Sequence, residues 1–419
     1  MKLSKYNIQI GEYGNINIIY NSLSDKFLFT KEKSFDNIAD ISSIFLDKLL
    51  SAGFVVEDDT DETQLYIDSA RRIENDLTHT HLIINPTINC NFKCWYCYEK
   101  HVPSKMSEDT IKNIHKYIEL SCKETQNLII SFFGGEPLLY YEEVILPILI
   151  HAKNIADREK IQFSSNCTTN GSLFNAVRIN ELKKYNFNFA QITLDGDRDV
   201  HNKTRYYSNG HGSYENIIDN IKELVRQHIH ITLRINYTAE NIQSIINIPH
   251  DLNNIPSIEK SYISVSFHKV WQEKDVPNLE IYKAIDAFEK AGFKTSKIVL
   301  GAFCYGDLRK SVLVNYNGDV YKCTAVDFEQ TTRDGFLDRN GKIVWENDSI
   351  ERRMRKKFSN KPCLDCKIFP ICHGGCSSKP LQNKGEYCIF DFDENKKLEV
   401  VKEKLLYYIK YKWNKMFIA

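Results

Sequence analysis

A regular alternation of predicted strands and helices between residues 81 and 267 constrains the fold of this chain more than any other feature. Six apolar runs predict strands at Leu82–Ile88, Leu128–Phe133, Ile161–Thr169, Phe189–Leu194, Ile229–Asn236 and Tyr262–Phe267. Helical patterns separate them at Ser107–Glu119, Tyr141–Ala156, Asn175–Lys184, Tyr214–Gln227 and Glu240–Leu252. Strands that alternate with helices favour a parallel sheet covered by helices, so an α/β fold is expected.

Three closely spaced cysteines follow the first predicted strand. Cys90, Cys94 and Cys97 have the spacing C-x3-C-x2-C. Three thiolates on one loop can hold three corners of a cubane iron–sulfur cluster, which leaves a fourth iron open to bind and cleave a small molecule. A zinc site usually takes its four ligands from two motifs such as Cys-x2-Cys. Here the next cysteine along the chain, Cys122, is isolated and lies at the end of a predicted helix. Zinc binding and core packing are therefore the less favoured interpretations.

The composition gives little reason to expect nucleic acid or a membrane as a partner. The 55 basic and 55 acidic residues balance. The longest apolar runs, such as Val144–Ile150, are too short to span a bilayer, and the first residues form no apolar signal segment. We therefore expect a cytoplasmic protein, in which disulfides are rare and most of the 12 cysteines are metal ligands. The isolated Cys122 and Cys167 are predicted to be buried apolar residues.

Polar and glycine-rich motifs follow the next three predicted strands. They are Gly134-Gly135-Glu136-Pro137, Thr168-Thr169-Asn170-Gly171 and Thr193-Leu194-Asp195-Gly196. Parallel barrels place their sites at the carboxyl ends of the strands, so these motifs are expected to meet there. Glycine lets the backbone approach a ligand closely, and a carboxylate such as Glu136 can accept a charge-assisted hydrogen bond from an ammonium group.

The cysteine spacing and these motifs resemble the radical S-adenosylmethionine (SAM) enzymes. The resemblance implies a partial (β/α)6 barrel over residues 81–275, with a SAM-binding [4Fe–4S] cluster on Cys90, Cys94 and Cys97. It also implies a set of SAM contacts: Gly134, Gly135 and Glu136 for the amino group, the Tyr96 backbone for adenine, Asn170 nearby, Thr193 and Asp195 for the ribose, and Arg205 for the carboxylate. A surface salt bridge is the alternative for Arg205. Arg234 and Asn236 are expected near the same pocket.

A second group of seven cysteines lies between residues 304 and 388. The group reads C-x13-G-x4-C and then C-x2-C-x5-C-x3-C, and Gly318 marks a hairpin turn in the first part. The pattern resembles the SPASM extension, which binds two auxiliary [4Fe–4S] clusters. That resemblance implies auxiliary cluster I on Cys304, Cys323 and Cys376, and auxiliary cluster II on Cys363, Cys366, Cys372 and Cys388. Four thiolates per cluster is the usual ligand count, so cluster I is expected to have an open iron. One zinc ion with spare thiols is the alternative.

The remaining segments complete the predicted domain organisation. Residues 1–80, with three short strands and helices, resemble a leader-peptide recognition element, or else form a small cap on the main domain. Residues 276–300 form a bridging helix region, residues 301–392 the SPASM domain, and residues 393–419 an amphipathic C-terminal helix that packs onto the core. The acidic segment at residues 57–62 and the basic run at residues 351–357 are expected to be solvated.

The resemblance is nearest to SPASM enzymes that act on peptides. It implies a maturase of ribosomal precursor peptides, which forms a carbon–sulfur thioether or a carbon–carbon crosslink with electrons from a flavodoxin or ferredoxin-type reductant. A sulfatase-maturing enzyme is one alternative, but its aspartate directly after the second SPASM cysteine is replaced by Thr324, and Asp327 comes three residues later. A peptide epimerase is another, with Cys167 as a hydrogen donor. A simple electron carrier is disfavoured because it needs no SAM pocket.

Overall fold

A computed structural model describes residues 1–31, 38, 41, 43–273, 276–296, 301–378, 381, 385–411 and 416–418. The chain forms two compact units. The first unit combines Met1–Asp76, Ile298–Leu308 and Ile350–Ala419. The second unit combines Leu77–Lys297 and Arg309–Ser349.

The first unit begins with a small antiparallel sheet. Its elements up to residue 76 are strands β1 Lys2–Leu3, β2 Asn7–Tyr13, β3 Ile16–Asn21, β4 Lys26–Thr30 and β5 Val55–Val56, and helices α1 Ser43–Ala52 and α2 Glu62–Glu74. β2, β3 and β4 pair in sequence, and β1 pairs with β5. The three short strands predicted from apolar runs at Tyr6–Gly11, Ile16–Tyr20 and Lys26–Phe29 correspond to β2, β3 and β4. A helical pattern near Ile38–Ala52 predicts α1, and part of that stretch falls outside the described residues.

The acidic segment before α2 is not wholly solvated, contrary to expectation. Asp61 caps α2 by accepting a hydrogen bond from the backbone N–H of Gln64. Glu62 is buried, and its carboxylate accepts hydrogen bonds from the Ser4 hydroxyl at 2.5 Å and the Lys5 backbone at 2.9 Å. The segment therefore ties the start of the chain to α2.

The second unit is a large, mostly parallel sheet. Its strands are β6 His79–Ile84, β7 Asn127–Phe132, β8 Gln162–Thr169, β9 Phe187–Leu194, β10 His230–Tyr237, β11 Ile263–Lys269, β12 Lys294–Ser296, β13 Ser311–Val314, β14 Asp319–Tyr321, β15 Gly335–Leu337 and β16 Ile343–Trp345. Each strand from β6 to β12 pairs in parallel with the next along the chain. β13 adds in parallel beside β6, and β13 to β16 continue antiparallel. The six predicted strands and the predicted hairpin at Gly318 are all present.

Helices connect the parallel strands, as the α/β pattern predicts. They are α3 Glu108–Cys122, α4 Leu146–Glu159, α5 Ala176–Lys183, α6 Arg198–Thr204, α7 Tyr214–Arg226, α8 Ile248–Asp251, α9 Ser257–Lys260 and α10 Asn278–Lys290. α3 begins where its helical pattern was predicted to begin, and Ser107 caps it by accepting a hydrogen bond from the Thr110 backbone N–H. Strand and helix side chains such as Leu128, Ile192, Leu149 and Ile221 form one buried core. Cys122 and Cys167 belong to it, as predicted.

The helix predicted at Glu240–Leu252 is largely absent. Only a short 3-10 turn at Ile245–Asn247 and the single turn of α8 form. The side chain of Asn241 instead binds strand ends, since its amide donates to the carbonyls of Asp195 at 2.9 Å and Asn236 at 3.0 Å. Side-chain to backbone bonds of this kind compete with helix formation.

The chain then completes the first unit. The later elements are helices α11 Ser349–Lys357, α12 Lys361–Leu364, α13 Phe369–Cys372 and α14 Glu394–Tyr411, and strand β17 Met416–Ile418. α14 packs its buried Val401, Leu405 and Tyr408 against Tyr20 and Phe27 of the N-terminal sheet. The predicted C-terminal helix therefore packs on a core, but it ends at Tyr411, and β17 pairs in parallel with β4. None of the helices in the described residues has the length and apolar character of a membrane span.

Candidate active site

The loops that follow β6, β7, β8 and β9 meet at one edge of the sheet in the second unit. They carry the cysteine motif and the three later motifs. Because the strands are parallel, their carboxyl ends lie side by side, and hydrogen bonds between the loops join the motifs directly. The sequence motifs therefore converge on one site.

The three cysteines of the first loop are partly buried. Burial raises the pKa of Cys90 to about 12 and that of Cys97 to about 11, and it also raises the pKa of Cys94. Thiolates are therefore disfavoured here unless positive charge balances them. Iron ions of a cluster would supply that charge, because a coordinated thiol is deprotonated. The chemistry of this donor set fits a cluster with three protein ligands.

The glycine-rich motif packs tightly against the cysteine loop. Gly135 has φ +50°, and a Cβ at this position would lie 2.0 Å from the backbone oxygen of Asn89. Its N–H donates to the Glu99 carboxylate at 2.5 Å, and the N–H of Glu136 donates to the Asn89 carbonyl at 2.9 Å. Burial, opposed by the Gly135 bond, raises the pKa of Glu99 to about 7. Only glycine can bring the two loops this close.

Glu136 links the loops that follow β7 and β8. It is fully buried, and its carboxylate accepts hydrogen bonds from the Leu138 backbone, the Thr169 hydroxyl and the Asn170 backbone at 2.7–3.0 Å. The Asn170 amide in turn donates to Asn91 at 2.8 Å and lies 4.0 Å from the Cys90 sulfur. Glu136 thus holds Asn170 beside the cysteine loop. Its contact with a SAM ammonium group stays a prediction.

The hydroxyl of Tyr96 is the centre of a buried polar network. It donates to Asp195 Oδ2 at 2.6 Å, and it accepts from Arg205 Nη1 at 2.7 Å and from Asn236 Nδ2 at 3.1 Å. The Arg234 Nε donates to Asn236 at 2.9 Å. Arg205 is therefore buried beside Tyr96 and Asp195 and is not in a surface salt bridge.

The charges of this network oppose each other. Burial disfavours the Arg205 cation, but Tyr96, Cys94 and Asp195 raise the pKa of its guanidinium well above the usual value. Burial raises the pKa of Asp195, and Arg205 opposes that shift. Two atoms, Asp195 Oδ1 and Arg205 Nε, are buried with no hydrogen-bond partner within the described residues. Asp195 Oδ1 lies 3.9 Å from Arg205 Nη1, too far for a hydrogen bond. An acceptor and a donor without hydrogen bonds next to the cysteine loop suit a polar ligand such as SAM.

Several contacts of this site were not predicted from the sequence. Gln272 donates to the Tyr96 carbonyl at 2.9 Å, and His101 lies 3.3 Å from the Cys97 sulfur. Tyr98 donates to the Thr324 carbonyl at 3.2 Å, which connects the cysteine loop to the loop of Cys323. Thr193 lies on β9 beside Arg234 of β10, and its contact with the SAM ribose stays a prediction. Glu99 and His101 are near the motif in sequence, but Gln272 comes from a loop that no motif marks.

The second cysteine group is divided between the two units. Four of its cysteines, Cys363, Cys366, Cys372 and Cys388, line one cavity of the first unit, and their binding of auxiliary cluster II stays a prediction. Cys304 and Cys376 are exposed in the first unit, whereas Cys323 belongs to the second unit. Across the described residues, no three His, Cys, Asp or Glu side chains converge on a point that a single metal ion would occupy. A cubane cluster is larger than one ion, so its ligands surround a cavity.

The basic run of α11 is solvated only in part. Arg352, Arg355 and Lys356 are exposed, as expected, but Arg353 and Lys357 are buried. The Lys357 ammonium lies 2.8 Å from Asp307 and 3.0 Å from Glu74. Arg353 donates to the Ser377 hydroxyl at 2.5 Å. These residues tie the segments around Cys304 and Cys376 into the first unit.

Comparison with known proteins identifies the class to which this site belongs. Residues 84–252 match the model of the Radical SAM superfamily. The chain therefore carries a radical SAM domain, and the α/β fold predicted from its sequence is confirmed. Such a domain implies SAM and one [4Fe–4S] cluster as cofactors.

Two curated proteins are among the relatives found. A cysteine-type anaerobic sulfatase-maturating enzyme of Clostridium novyi is 22% identical over 335 residues, which are 70% of this chain and 87% of that protein. An uncharacterised protein of Synechocystis is 29% identical over 154 residues, which are 35% of this chain and 38% of that protein. The match thus spans well under half of the Synechocystis protein.

Two solved structures share the fold over most of the chain. A histidine-tagged anSMEcpe with bound AdoMet has a TM-score of 0.56 and 16% identity, over 81% of this chain and 100% of that chain. Streptococcus suis SuiB bound to precursor peptide SuiA has a TM-score of 0.54 and 15% identity, over 92% of this chain and 97% of that chain. This chain therefore shares its fold with both structures over most of its length.

Proposed function

We propose that this protein is a radical SAM maturase that oxidises a ribosomal precursor peptide and forms a thioether or carbon–carbon crosslink. The observation that carries the proposal is the site in which a three-cysteine loop lies against the unpaired polar atoms of Asp195 and Arg205. A simple electron carrier has no use for such a pocket.

The choice of a peptide substrate rests on the extent of the shared fold. The likeness to SuiB, which was solved with a precursor peptide, covers 92% of this chain, and that to anSMEcpe covers 81%. Thr324 directly follows Cys323, where the resemblance calls for an aspartate in sulfatase-maturing enzymes. Both observations favour peptide maturation over sulfatase maturation.

The residues of this chain would hold and orient the cofactors. When bound, SAM and the cluster on Cys90, Cys94 and Cys97 supply a 5′-deoxyadenosyl radical that removes a hydrogen atom from the peptide. Arg205 Nε would bind the SAM carboxylate, and Asp195 Oδ1 would accept from a ribose hydroxyl. The buried loops after β7 and β8 exclude water from the reacting groups. The protein thus supplies placement, and the cofactor supplies the bond cleavage.

Crosslinking releases one further electron and one proton from the peptide as the new bond forms. We propose that the auxiliary clusters take this electron: cluster II in the four-cysteine cavity, and cluster I on Cys304, Cys323 and Cys376 with an open iron that a substrate thiolate can fill. Together with the SAM-binding cluster, this makes three [4Fe–4S] clusters. A flavodoxin or ferredoxin-type reductant would supply the initial electron, and the reaction would take place in the cytoplasm, without nucleic acid or a membrane.

The test is the intact mass of a short peptide encoded beside this gene after anaerobic co-expression with the enzyme. A crosslinking maturase removes two hydrogens, and fragmentation then locates the new bond. A peptide whose mass is unchanged in ordinary water, but which takes up one deuteron when the reaction is run in deuterium oxide, indicates the epimerase alternative. An unmodified peptide together with no 5′-deoxyadenosine from SAM would refute the proposal.

Sulfatase maturation remains a second candidate because the alignment with the Clostridium novyi enzyme covers 87% of that protein. Its product is different, since oxidation of cysteine to formylglycine replaces sulfur by oxygen and removes two hydrogens. A sulfatase-derived cysteine peptide is therefore the discriminating substrate. Its conversion, with no change in the precursor peptide, would favour this candidate.

A further inference from the structure

The four-cysteine cavity of the first unit has a mostly apolar lining with a positive charge on one side. Among the described residues, its lining is apolar apart from the four thiols, the Tyr387 phenol and one charged side chain, that of Lys397 on α14. The apolar part includes Phe369, Phe390 and Ile389. A charge in such surroundings acts through a low local dielectric and is weakly screened.

Lys397 is held at the cavity by its position on α14. Only 8% of the residue is exposed. Its ammonium group lies 2.5 Å from the carboxylate of Glu394, one helical turn earlier, whose side chain is 79% exposed. Lys397 lines the cavity together with all four cysteines, and the salt bridge with Glu394 holds its ammonium group in place. Lys397 is thus a fixed cation in the wall of this cavity.

Asn360 adds a hydrogen-bond donor on another side of the cavity. Its amide Nδ2 lies 2.9 Å from the Cys363 sulfur and also donates to the Tyr387 carbonyl at 2.8 Å. Asn360 is itself buried, and the Tyr387 backbone N–H donates to its amide oxygen. This pair of bonds fixes the amide with one N–H toward the thiol. Donors to the sulfurs and nearby charge are two of the factors that set the reduction potential of an iron–sulfur cluster.

We propose that Lys397 and Asn360 tune auxiliary cluster II to accept electrons, by holding a cation and an amide donor against its thiolate ligands. The inference rests on the proposed function, which places a cluster in this cavity. Reduction adds one negative charge to the cluster, and a buried cation stabilises that added charge. The reduction potential is therefore higher than it would be with four thiolates in an apolar wall alone. A higher potential makes this cluster a sink for the electron that crosslinking releases.

Charge substitutions of opposite sign test this inference in the full-length holoprotein. Lys397→Met removes the cation and should shift the midpoint potential of cluster II to more negative values. Lys397→Arg keeps the charge and should restore it. Glu394→Gln removes the anion beside Lys397 and should shift the potential in the positive direction. The measurement is a redox titration followed by electron paramagnetic resonance, with the signal assigned by its loss in Cys372→Ala.

A matched pair on the same helix controls for changes of surface charge. Lys402 pairs with Glu399 at 2.9 Å with the same spacing, but its side chain is 42% exposed. Lys402→Met should leave the potential unchanged. Asn360→Leu should lower the potential while the iron content stays full.

The outcomes separate this inference from the function on which it rests. If iron analysis and the Cys372→Ala comparison show no cluster in this cavity, the auxiliary-cluster assignment fails and this inference fails with it. If the cluster is present and peptide oxidation occurs, but Lys397→Met and Glu394→Gln leave the potential unchanged or move it in the same direction, the inference alone is wrong. Glu394 is a surface residue, so its variant remains informative even where Lys397→Met loses the cluster.

Discussion

The buried ammonium group of Lys357 gives the sharpest stability prediction. Lys357, Asp307 and Glu74 are at most 1% exposed, and the Lys357 ammonium group lies within 3.0 Å of both carboxylates. It also lies 5.0 Å from the ring centre of Phe303. Lys357→Met removes the cation and leaves two buried carboxylates without it. Breaking a buried ion pair in this way costs about 3–5 kcal/mol.

The structure places the expected loss near the lower end of that range. Glu74 keeps a salt bridge with Arg71 at 3.0 Å, and Asp307 keeps the Ser377 hydroxyl and Arg353 at 3.9 Å. We therefore expect a loss of about 3 kcal/mol in the local opening free energy. Hydrogen–deuterium exchange of peptides from α11, resolved by mass spectrometry, measures this quantity directly, without assuming that the two units unfold together.

Two further variants decide the cause. Lys356→Met changes the exposed neighbour on the same helix and should alter the opening free energy by no more than about 0.5 kcal/mol. The triple variant Lys357→Met, Glu74→Gln, Asp307→Asn removes the uncompensated charge and should lose less than Lys357→Met alone. A loss below about 1 kcal/mol in Lys357→Met, or a larger loss in the triple variant, would refute the argument from buried charge.

Three other predictions concern the second unit. Tyr96→Phe removes three hydrogen bonds, two of them to charged groups, and should raise the KM for SAM at least about tenfold while the iron content stays unchanged. The control Tyr13→Phe changes an exposed tyrosine and should leave this KM unchanged. The rate of 5′-deoxyadenosine formation at varied SAM concentration measures KM in both variants. Gly135→Ala would place a Cβ 2.0 Å from the Asn89 oxygen and should reduce iron incorporation at the first cluster, while Gly210→Ala shares the positive φ without a clash and should retain full iron. The ring of His115 stacks on that of His151. Burial and the neighbouring His151 lower the pKa of His115 to about 4, although Glu119 opposes this shift. Folding favours its neutral form, so the stability it contributes is complete above its ordinary pKa of 6.5 and is lost as the pH falls towards 4. His115→Phe should therefore reduce the fall in melting temperature between pH 7 and pH 5, and equal falls in His115→Phe and the exposed His211→Phe would contradict this.

Periodic apolar segments made the sheet of the second unit predictable. The strands from β6 to β11 each bury residues such as Leu82, Leu128 and Leu233, and the motifs at their carboxyl ends had to converge because parallel strands share one edge. The buried polar network around Tyr96 could not be predicted in this way. The hydrogen bonds of its hydroxyl with Asp195, Arg205 and Asn236 depend on the directions of the side chains, which the sequence pattern does not give. The sequence therefore predicted the location of the site better than its hydrogen bonds.

Long-range pairing of charged side chains accounts for two of the errors. The basic run of α11 looks solvated in sequence because the partners of Lys357, Glu74 and Asp307, lie far from it along the chain. Similarly, Glu62 looked like part of a solvated linker, although it is buried and accepts hydrogen bonds from Ser4 and Lys5, more than fifty residues earlier in the chain. Local patterns carry no information about such partners.

The assembly of the first unit from both ends of the chain also bears on how the protein is made. Residues up to Asp76 leave the ribosome long before Ile350, yet the two segments share one compact unit. At about 5–20 residues per second, the N-terminal strands wait roughly 15–55 s for the helices that cover them. The second unit can complete its sheet during much of that interval. The four-cysteine cavity is lined by residues up to Lys397, so its cluster would be inserted after the strands of the second unit have been synthesised.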